Sequence, residues 1–472
     1  MKSKYLLLVP VLLLFLSCQS TPVSEGSAPP EVSQHELSNG VPVLIKQNAT
    51  NRVQSLKVVL KNQSYHSTVA GIEALTLSLL VRGSENYTFD DIQKAAYDMS
   101  SGISVDYQNL DLSSFDLNTL DKYFDEMFEI YADCFLNPGF DEKEYGTLVQ
   151  DFLQAKQQKM GDAYTRASTV LNKEFFQDHP YSRDFDGNLE TLPTITIDDI
   201  RAHYESKISA DRIFIVAVGN FEQEKLLTQL ESTFGTIENK GVSVEQADIP
   251  KIVESIVILE PFEQSQDLAE VRGNFLVPPP SDPSFPAFTL ASAMMKDILF
   301  DIVRTRNSAS YSTWVTIFSY ESNYGNISAY RTNTPGTVKQ MLDDSLAVLA
   351  AGYAFPIEAK TDAEGFTIFV PIDESMEAYQ NQFLTEFYSE QQTNLSVADS
   401  ISNSYFLHGD PSNYLKFGEK IMAVTPEDIV EVTQRYMIDA PKKWIVLGSQ
   451  EMLDNVVEDV YTEYVGSFEP SM

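Results

Sequence analysis

The sequence is short of cations, of cysteine and of paired histidines, and each shortage removes a class of function. Lys and Arg number 33 against 68 Asp and Glu, a formal charge of −35. A polyanion of this kind repels phosphate backbones and anionic lipid heads, so nucleic acid is not expected as a partner. Only two cysteines occur, Cys18 and Cys134, which excludes a disulfide framework and a thiolate zinc cluster. Cys134 sits in the apolar run Ile130 to Leu136 and reads as a buried structural thiol. The five histidines, His35, His66, His179, His203 and His408, never recur at i and i+4, the spacing that lets one helix face hold a metal. No nucleophile elbow or phosphate loop is found.

The chain is nonetheless built to fold: 43% of its residues are hydrophobic and 11% aromatic, enough for two sizeable cores. Lys2 and Lys4 precede an apolar stretch, Tyr5 to Leu16, too short to span a bilayer, so residues 1–17 read as a secretory signal. Phe15-Leu16-Ser17-Cys18 resembles a bacterial lipobox, which implies cleavage before Cys18 and lipidation there. An ordinary signal with an incidental cysteine is the other reading. The Ser-, Pro- and Thr-rich stretch that follows suits a tether over 18–32. The expected location is the bacterial cell envelope, on the periplasmic face of a membrane, the outer more than the inner.

Beyond the tether, an Asn39-Gly40 turn joins two short strands, Ser55 to Leu60 is a further strand, and Thr88 can cap a helix. Ile103–Tyr107 and Ser113–Leu117 alternate as strands do, and Leu120 to Phe135 and Glu142 to Met160 are amphipathic helices. An internal repeat then sets the architecture. Thr196-Ile-Asp-Asp-Ile200 leads through a helix to Arg212 and the strand ending at Gly219. At a constant offset of 229, Thr425-Pro-Glu-Asp-Ile429 leads through a helix to the strand ending at Gly448, and His179 and His408 keep the same offset. The expected organisation is two homologous domains, 33–237 and 253–472, joined by a linker over 238–252.

Ala70 to Ser84 carries Ile72, Leu75, Leu79 and Leu80 at helical spacing, with Gly83 set to end the helix. Its framework resembles the active-site helix of the insulinase-like (M16) zinc peptidases, Gly-Leu-x-His-x-x-Glu-His-x-x-x-x-Gly-[Ser/Thr]. Aligned on Gly71 and on Arg82-Gly83-Ser84, the two histidines fall on Ala74 and Ser78 and the glutamate on Leu77. The third ligand, a Glu on a later helix, falls near Asp151. Ala74 and Leu77 have no donor atoms, a Ser hydroxyl is a poor zinc ligand, and one carboxylate does not hold zinc. No catalytic residue and no metal is therefore expected in this chain.

The resemblance continues through His179-Pro-Tyr-Ser-Arg183 and into the second half. There, Leu299-Phe300 through Arg304, Ser308 and Tyr311-Ser312 is similar to the family's Leu-Phe-x-x-[Val/Leu]-Arg-x-x-x-Gly-x-x-Tyr-Ser, with Ser308 at the Gly position and Asn307 where a basic residue is usual. The family uses this Arg and Tyr to hold the peptide and stabilise the attacked carbonyl, a role a fixed cation and a phenol can fill. The resemblance implies an α+β fold: two homologous α/β-sandwich domains, each a largely antiparallel sheet covered by helices, forming half of a clamshell chamber. It also implies a substrate-positioning subunit, with Arg304 and Tyr311 on the peptide and zinc in a partner M16 subunit that keeps an intact motif. The alternative is a non-enzymatic peptide-binding or scaffolding envelope lipoprotein.

Overall fold

The computed structural model describes residues 31–242, 249–358 and 360–456. Cys18, the signal and most of the tether lie outside the described residues, as do 243–248 of the expected linker. Among the described residues no helix is long and apolar enough to cross a membrane.

The first half forms a six-stranded sheet from β1 (Ser33–Glu36), β2 (Pro42–Gln47), β3 (Val53–Lys61), β4 (Gly102–Asp106), β5 (Leu112–Leu120) and β6 (Ile213–Gly219). Its order is β1-β2-β6-β3-β5-β4. Only β2 and β6 pair in parallel; every other neighbour is antiparallel. The second half contributes β7 (Ile256–Pro261), β8 (Ala269–Leu276), β9 (Ser312–Phe318) and β10 (Tyr324–Thr332). A small separate pair, β11 (Tyr353–Ala354) and β12 (Val370–Pro371), follows, and β13 (Lys442–Gly448) completes the main sheet. That sheet runs β7-β13-β8-β10-β9, and again a single pair, β7 with β13, is parallel. The order thus repeats that of β2-β6-β3-β5-β4, so the 229-residue repeat is a repeat of topology.

Both helices of the repeat open on capping boxes. Thr196 N donates to Asp199 at 2.8 Å while Asp199 N donates back to the Thr196 hydroxyl at 3.2 Å. Thr425 and Asp428 make the same exchange at 2.9 and 3.2 Å, with Pro426 the first helical residue. Each box contributes about 1 kcal/mol by pairing amide groups that a helix start leaves open.

Alternation along the central strands shows where the cores sit. Ile213, Ile215 and Ala217 of β6 face one apolar cluster, and Phe214, Val216 and Val218 face another, so both sides of the strand are covered. One face is covered by the first half's own helices, including Phe124–Leu136. The other is covered by Val397, Ala398 and Ile401 of the helix Asn394–His408, which belongs to the second half. The reverse also holds: Ala167 and Leu171 of the first-half helix Ala163–Phe176 pack on Ile445 and Leu447 of β13. Each half lends a helix to the other's sheet. Polar links accompany the exchange: Lys57 with Asp399, Asn274 with Asn172 at 2.9 Å, and Arg272 with Ser168.

Two boundaries differ from expectation. β5 continues through Leu120, and the helix that follows begins at Phe124, after a single turn at Asp121–Tyr123. The helix at 70–84 stops at Leu80. Gly83, at φ +144°, lies beyond it and bridges to Thr88.

Candidate functional site

The helix Ile72–Leu80 starts at Gly71, whose φ of +93° and close approach to Gly187 leave no space for a side chain: a Cβ there would stand 2.8 Å from the Gly187 Cα. Ile72, Leu75 and Leu79 pack on Leu148 and Val149 of the helix Glu142–Lys159, while Leu77 and Leu80 join the core against the first sheet. Ala74 is 0% exposed, Leu77 1% and Ser78 7%. The Ser78 hydroxyl hydrogen-bonds the Tyr107 phenol, and the Tyr107 ring lies 6.0 Å from that of Phe152. Asp151 is turned to Arg82, at 2.8 Å, which also faces Glu144 at 3.6 Å. A zinc ion does not fit these residues: a methyl group, an isobutyl group, an engaged hydroxyl and a carboxylate already paired with arginine offer no donor set.

The charge on this helix is Glu73, next to Ala74, which sequence reasoning passed over. Its carboxylate meets Arg212 at 2.5 Å, His203 at 2.6 Å and the Ser113 hydroxyl at 2.8 Å. Burial raises the pKa of such a group, but Arg212 and His203 outweigh it and hold Glu73 well below the usual carboxylate range. Burial, aided by Arg212, pushes nearby His66 down to about 3 and keeps it neutral. Arg212 is fully buried, so this is an internal brace rather than a site open to substrate. His179 accepts a bond from Tyr181 N in a turn, and burial pushes the Cys134 thiol up to about 12, leaving it unreactive.

Arg304 and Tyr311 come together. The helix Phe285–Leu299 widens into a π-helical turn at Phe300–Arg306, a form of helix common where side chains are placed for function. Arg306 is spent inside this turn, on Asp301 at 2.5 Å and on the Thr367 carbonyl at 2.6 Å. Asn307 ties back to the Ile302 carbonyl at 2.7 Å, and Ser308 then takes φ +49°, which reverses the chain towards Tyr311 and β9. That left-handed value explains why glycine suits the position. The Arg304 guanidinium lies 5.3 Å from the Tyr311 ring and 5.0 Å from the Phe300 ring, within cation–π range. Tyr311 is 65% exposed, and both residues line a cleft of about 400 Å³ with Leu268, Ser310, Arg331 and Asn333. Among the described residues no carboxylate lines it, in a chain of charge −35.

Comparison with known proteins bears on the fold. The family model described as the peptidase M16 inactive domain matches residues 194–357. The chain is 19% identical over 219 residues to the probable mitochondrial-processing peptidase subunit beta of Arabidopsis thaliana, a match that covers 46% of this chain and 41% of that one. The crystal structure of a peptidase M16 inactive domain from Pseudomonas fluorescens superposes with a TM-score of 0.77 at 15% identity, covering 89% of this chain and 98% of the other. The periplasmic protease PqqL from Escherichia coli superposes at 0.73 with 14% identity, covering 95% of this chain and 49% of that one. Residues 194–357 thus match the peptidase M16 inactive domain, and most of the chain has the fold of M16 structures, with Ala74, Leu77 and Ser78 at the positions that the sequence resemblance aligns with the zinc motif.

Proposed function

We propose that this chain is the non-catalytic, substrate-positioning subunit of a two-chain M16 peptidase of the bacterial cell envelope. The observation that carries the reading is a contrast within one molecule. The zinc-motif positions are packed into the core, whereas the Arg304–Tyr311 pair stands on an open cleft with no ion-pair partner for Arg304 among the described residues. A residue kept only for stability would be tied down as Arg306 is.

In this reading the partner chain carries an intact His-x-x-Glu-His helix and its zinc, and the two chains close as a clamshell around an extended peptide. Arg304 holds a peptide carbonyl, Tyr311 donates its phenol to it, and both lower the energy of the charge that develops there. Zinc, when held by the partner, would activate the attacking water, and this chain's part is to hold and orient the peptide. Lipid at Cys18 would hold the pair on the periplasmic side of a membrane.

The test is peptidase activity and zinc content of the mature chain, alone and mixed with a chain of similar length bearing the intact motif, with Arg304→Ala alongside. Activity that needs both chains and falls about a hundredfold with Arg304→Ala is expected, the loss of one preorganised contact to the developing charge. A metal-free chain that binds its partner and leaves its activity unchanged would point instead to a peptide-binding or scaffolding lipoprotein. Stoichiometric zinc in the lone chain would sink the proposal.

A further inference from the structure

We infer that Arg331 joins Arg304 to make a carboxylate-selective subsite, so that the cleft prefers peptides presenting a carboxylate, from an acidic side chain or from the peptide C-terminus. The inference deepens the peptide-positioning reading above and rests on it.

Arg331 is far from Arg304 in sequence and reaches the cleft through a distortion of β10. The register of β10 against β8 slips between Tyr330 and Thr332, and Arg331, the residue left over, takes φ +60°. A bulge of this kind re-aims one side chain. Left-handed backbone in a non-glycine residue costs about 1 kcal/mol or more, and such strain collects at binding sites. Among the described residues, two of the seven non-glycine residues with positive φ, Ser308 and Arg331, line this one cleft. The bulge is anchored: the Arg331 amide donates to the buried Glu270 carboxyl, and Tyr330 O accepts from the Ser310 hydroxyl at 2.7 Å and from Tyr311 N at 3.2 Å. The two segments that carry the arginines are thus tied to each other directly.

Two guanidiniums line one cleft, and the carboxyl of Glu270, whose charge bears on Arg331, is buried and does not line it. Neither has a carboxylate within ion-pairing distance among the described residues, although the chain carries twice as many acids as bases. A guanidinium presents paired N–H donors that match the two oxygens of a carboxylate, and Ser308 and Asn333, which also line the cleft, carry neutral donors. A neutral peptide would use only part of this set.

The experiment is fluorescence anisotropy with three labelled peptides of one extended sequence: one neutral with a C-terminal amide, one with a central Gln changed to Glu, and one with a free C-terminal carboxylate. Wild type is expected to bind one or both acidic peptides about tenfold more tightly than the neutral one, and which of the two gains identifies the source of the carboxylate. Arg331→Gly removes the cation and suits the left-handed backbone, so the fold is retained; it should bring the acidic peptides down to the affinity of the neutral one, while Arg331→Lys keeps part of the preference. Equal affinity of wild type for all three peptides overturns the carboxylate subsite. If Arg304→Ala then weakens all three, the positioning role survives that loss; if none of the three binds, both readings fail.

Discussion

The Lys57 ammonium on β3 lies 2.6 Å from the carboxylate of Asp399, 342 residues further along the chain and in the other half of the molecule. Asp116, one strand away at 3.0 Å, completes the pair, and the Lys57 side chain is 4% exposed. A buried ammonium with no partner is costly, whereas Asp399 is half exposed and its own share is screened. Either single substitution, Asp116→Ala or Asp399→Ala, leaves Lys57 one carboxylate and should cost about 1–2 kcal/mol in urea titrations, whereas removing both strands the buried ammonium and should cost roughly 3–5 kcal/mol. A double variant no less stable than either single one would contradict this account.

The exchange of helices between the halves predicts one unfolding transition rather than two. Both tryptophans, Trp314 and Trp444, lie in the second half, so their fluorescence reports that half alone while far-ultraviolet circular dichroism reports the whole. The two curves should coincide in denaturant. Tryptophan emission that changes well before or after the dichroism would mean the halves are separable.

Ser308 stands in left-handed backbone at φ +49°. Ser308→Gly should stabilise the protein by about 1 kcal/mol, as strain relief exceeds the entropy glycine adds to the unfolded chain. Ser308→Val, with its branched Cβ, should cost more than that. Melting temperatures of the two variants check the order, and a less stable glycine variant would refute it.

Two buried carboxyl groups give the stability a pH slope. Burial lifts Glu270 to about 8 from an ordinary 4.5, and lifts Asp111 to about 7 from 3.8. A folded-state pKa above the unfolded one means that the folded form binds the proton more tightly. The contribution is complete below the unfolded pKa and is lost as pH rises through the folded pKa. For Glu270 that window runs from 4.5 to about 8. Glu270→Gln should thus gain thermal stability over wild type as pH climbs across it, and a difference that is flat with pH would remove Glu270 from the account.

Restoring the zinc motif tests how far the old site has closed. Ala74→His, Leu77→Glu and Ser78→His together would place polar rings and a carboxylate at positions 0%, 1% and 7% exposed. Overpacking and buried polar groups should lower the melting temperature, each site costing on the order of 1–3 kcal/mol. With Asp151 held by Arg82, atomic absorption should find no stoichiometric zinc. A folded triple variant that binds one equivalent would show that the pocket remained open.

Much of this architecture was legible in the sequence because its signals are local. The capping boxes at Thr196 and Thr425, the Asn39-Gly40 turn and the apolar run Ile213 to Val218 each act within a few residues, and their 229-residue spacing exposed the repeated domain. What was not legible depends on tertiary choice. Ala163–Phe176 and Asn394–His408 are ordinary amphipathic helices, and nothing in their own pattern says that each covers the sheet of the other half. At the cleft, Arg304 and Tyr311 could be paired by resemblance to a known motif. Arg331 could not, since its position depends on a one-residue slip in strand register, which leaves no mark in composition or periodicity. Glu73 was passed over because the motif directed attention to its neighbours Ala74, Leu77 and Ser78.

The borrowed helices also bear on synthesis. The first sheet has all its strands once Gly219 has emerged, yet one of its faces is covered by Tyr414 and by the helix that ends at His408, both in the second half. At ribosomal rates of ~5–20 residues per second, the roughly 190 residues between Gly219 and His408 take ~10–40 s. For that time Leu44, Val59, Phe214 and Val216 would face water on a finished sheet. The nascent first half is then a natural client for holdase chaperones until its second half arrives.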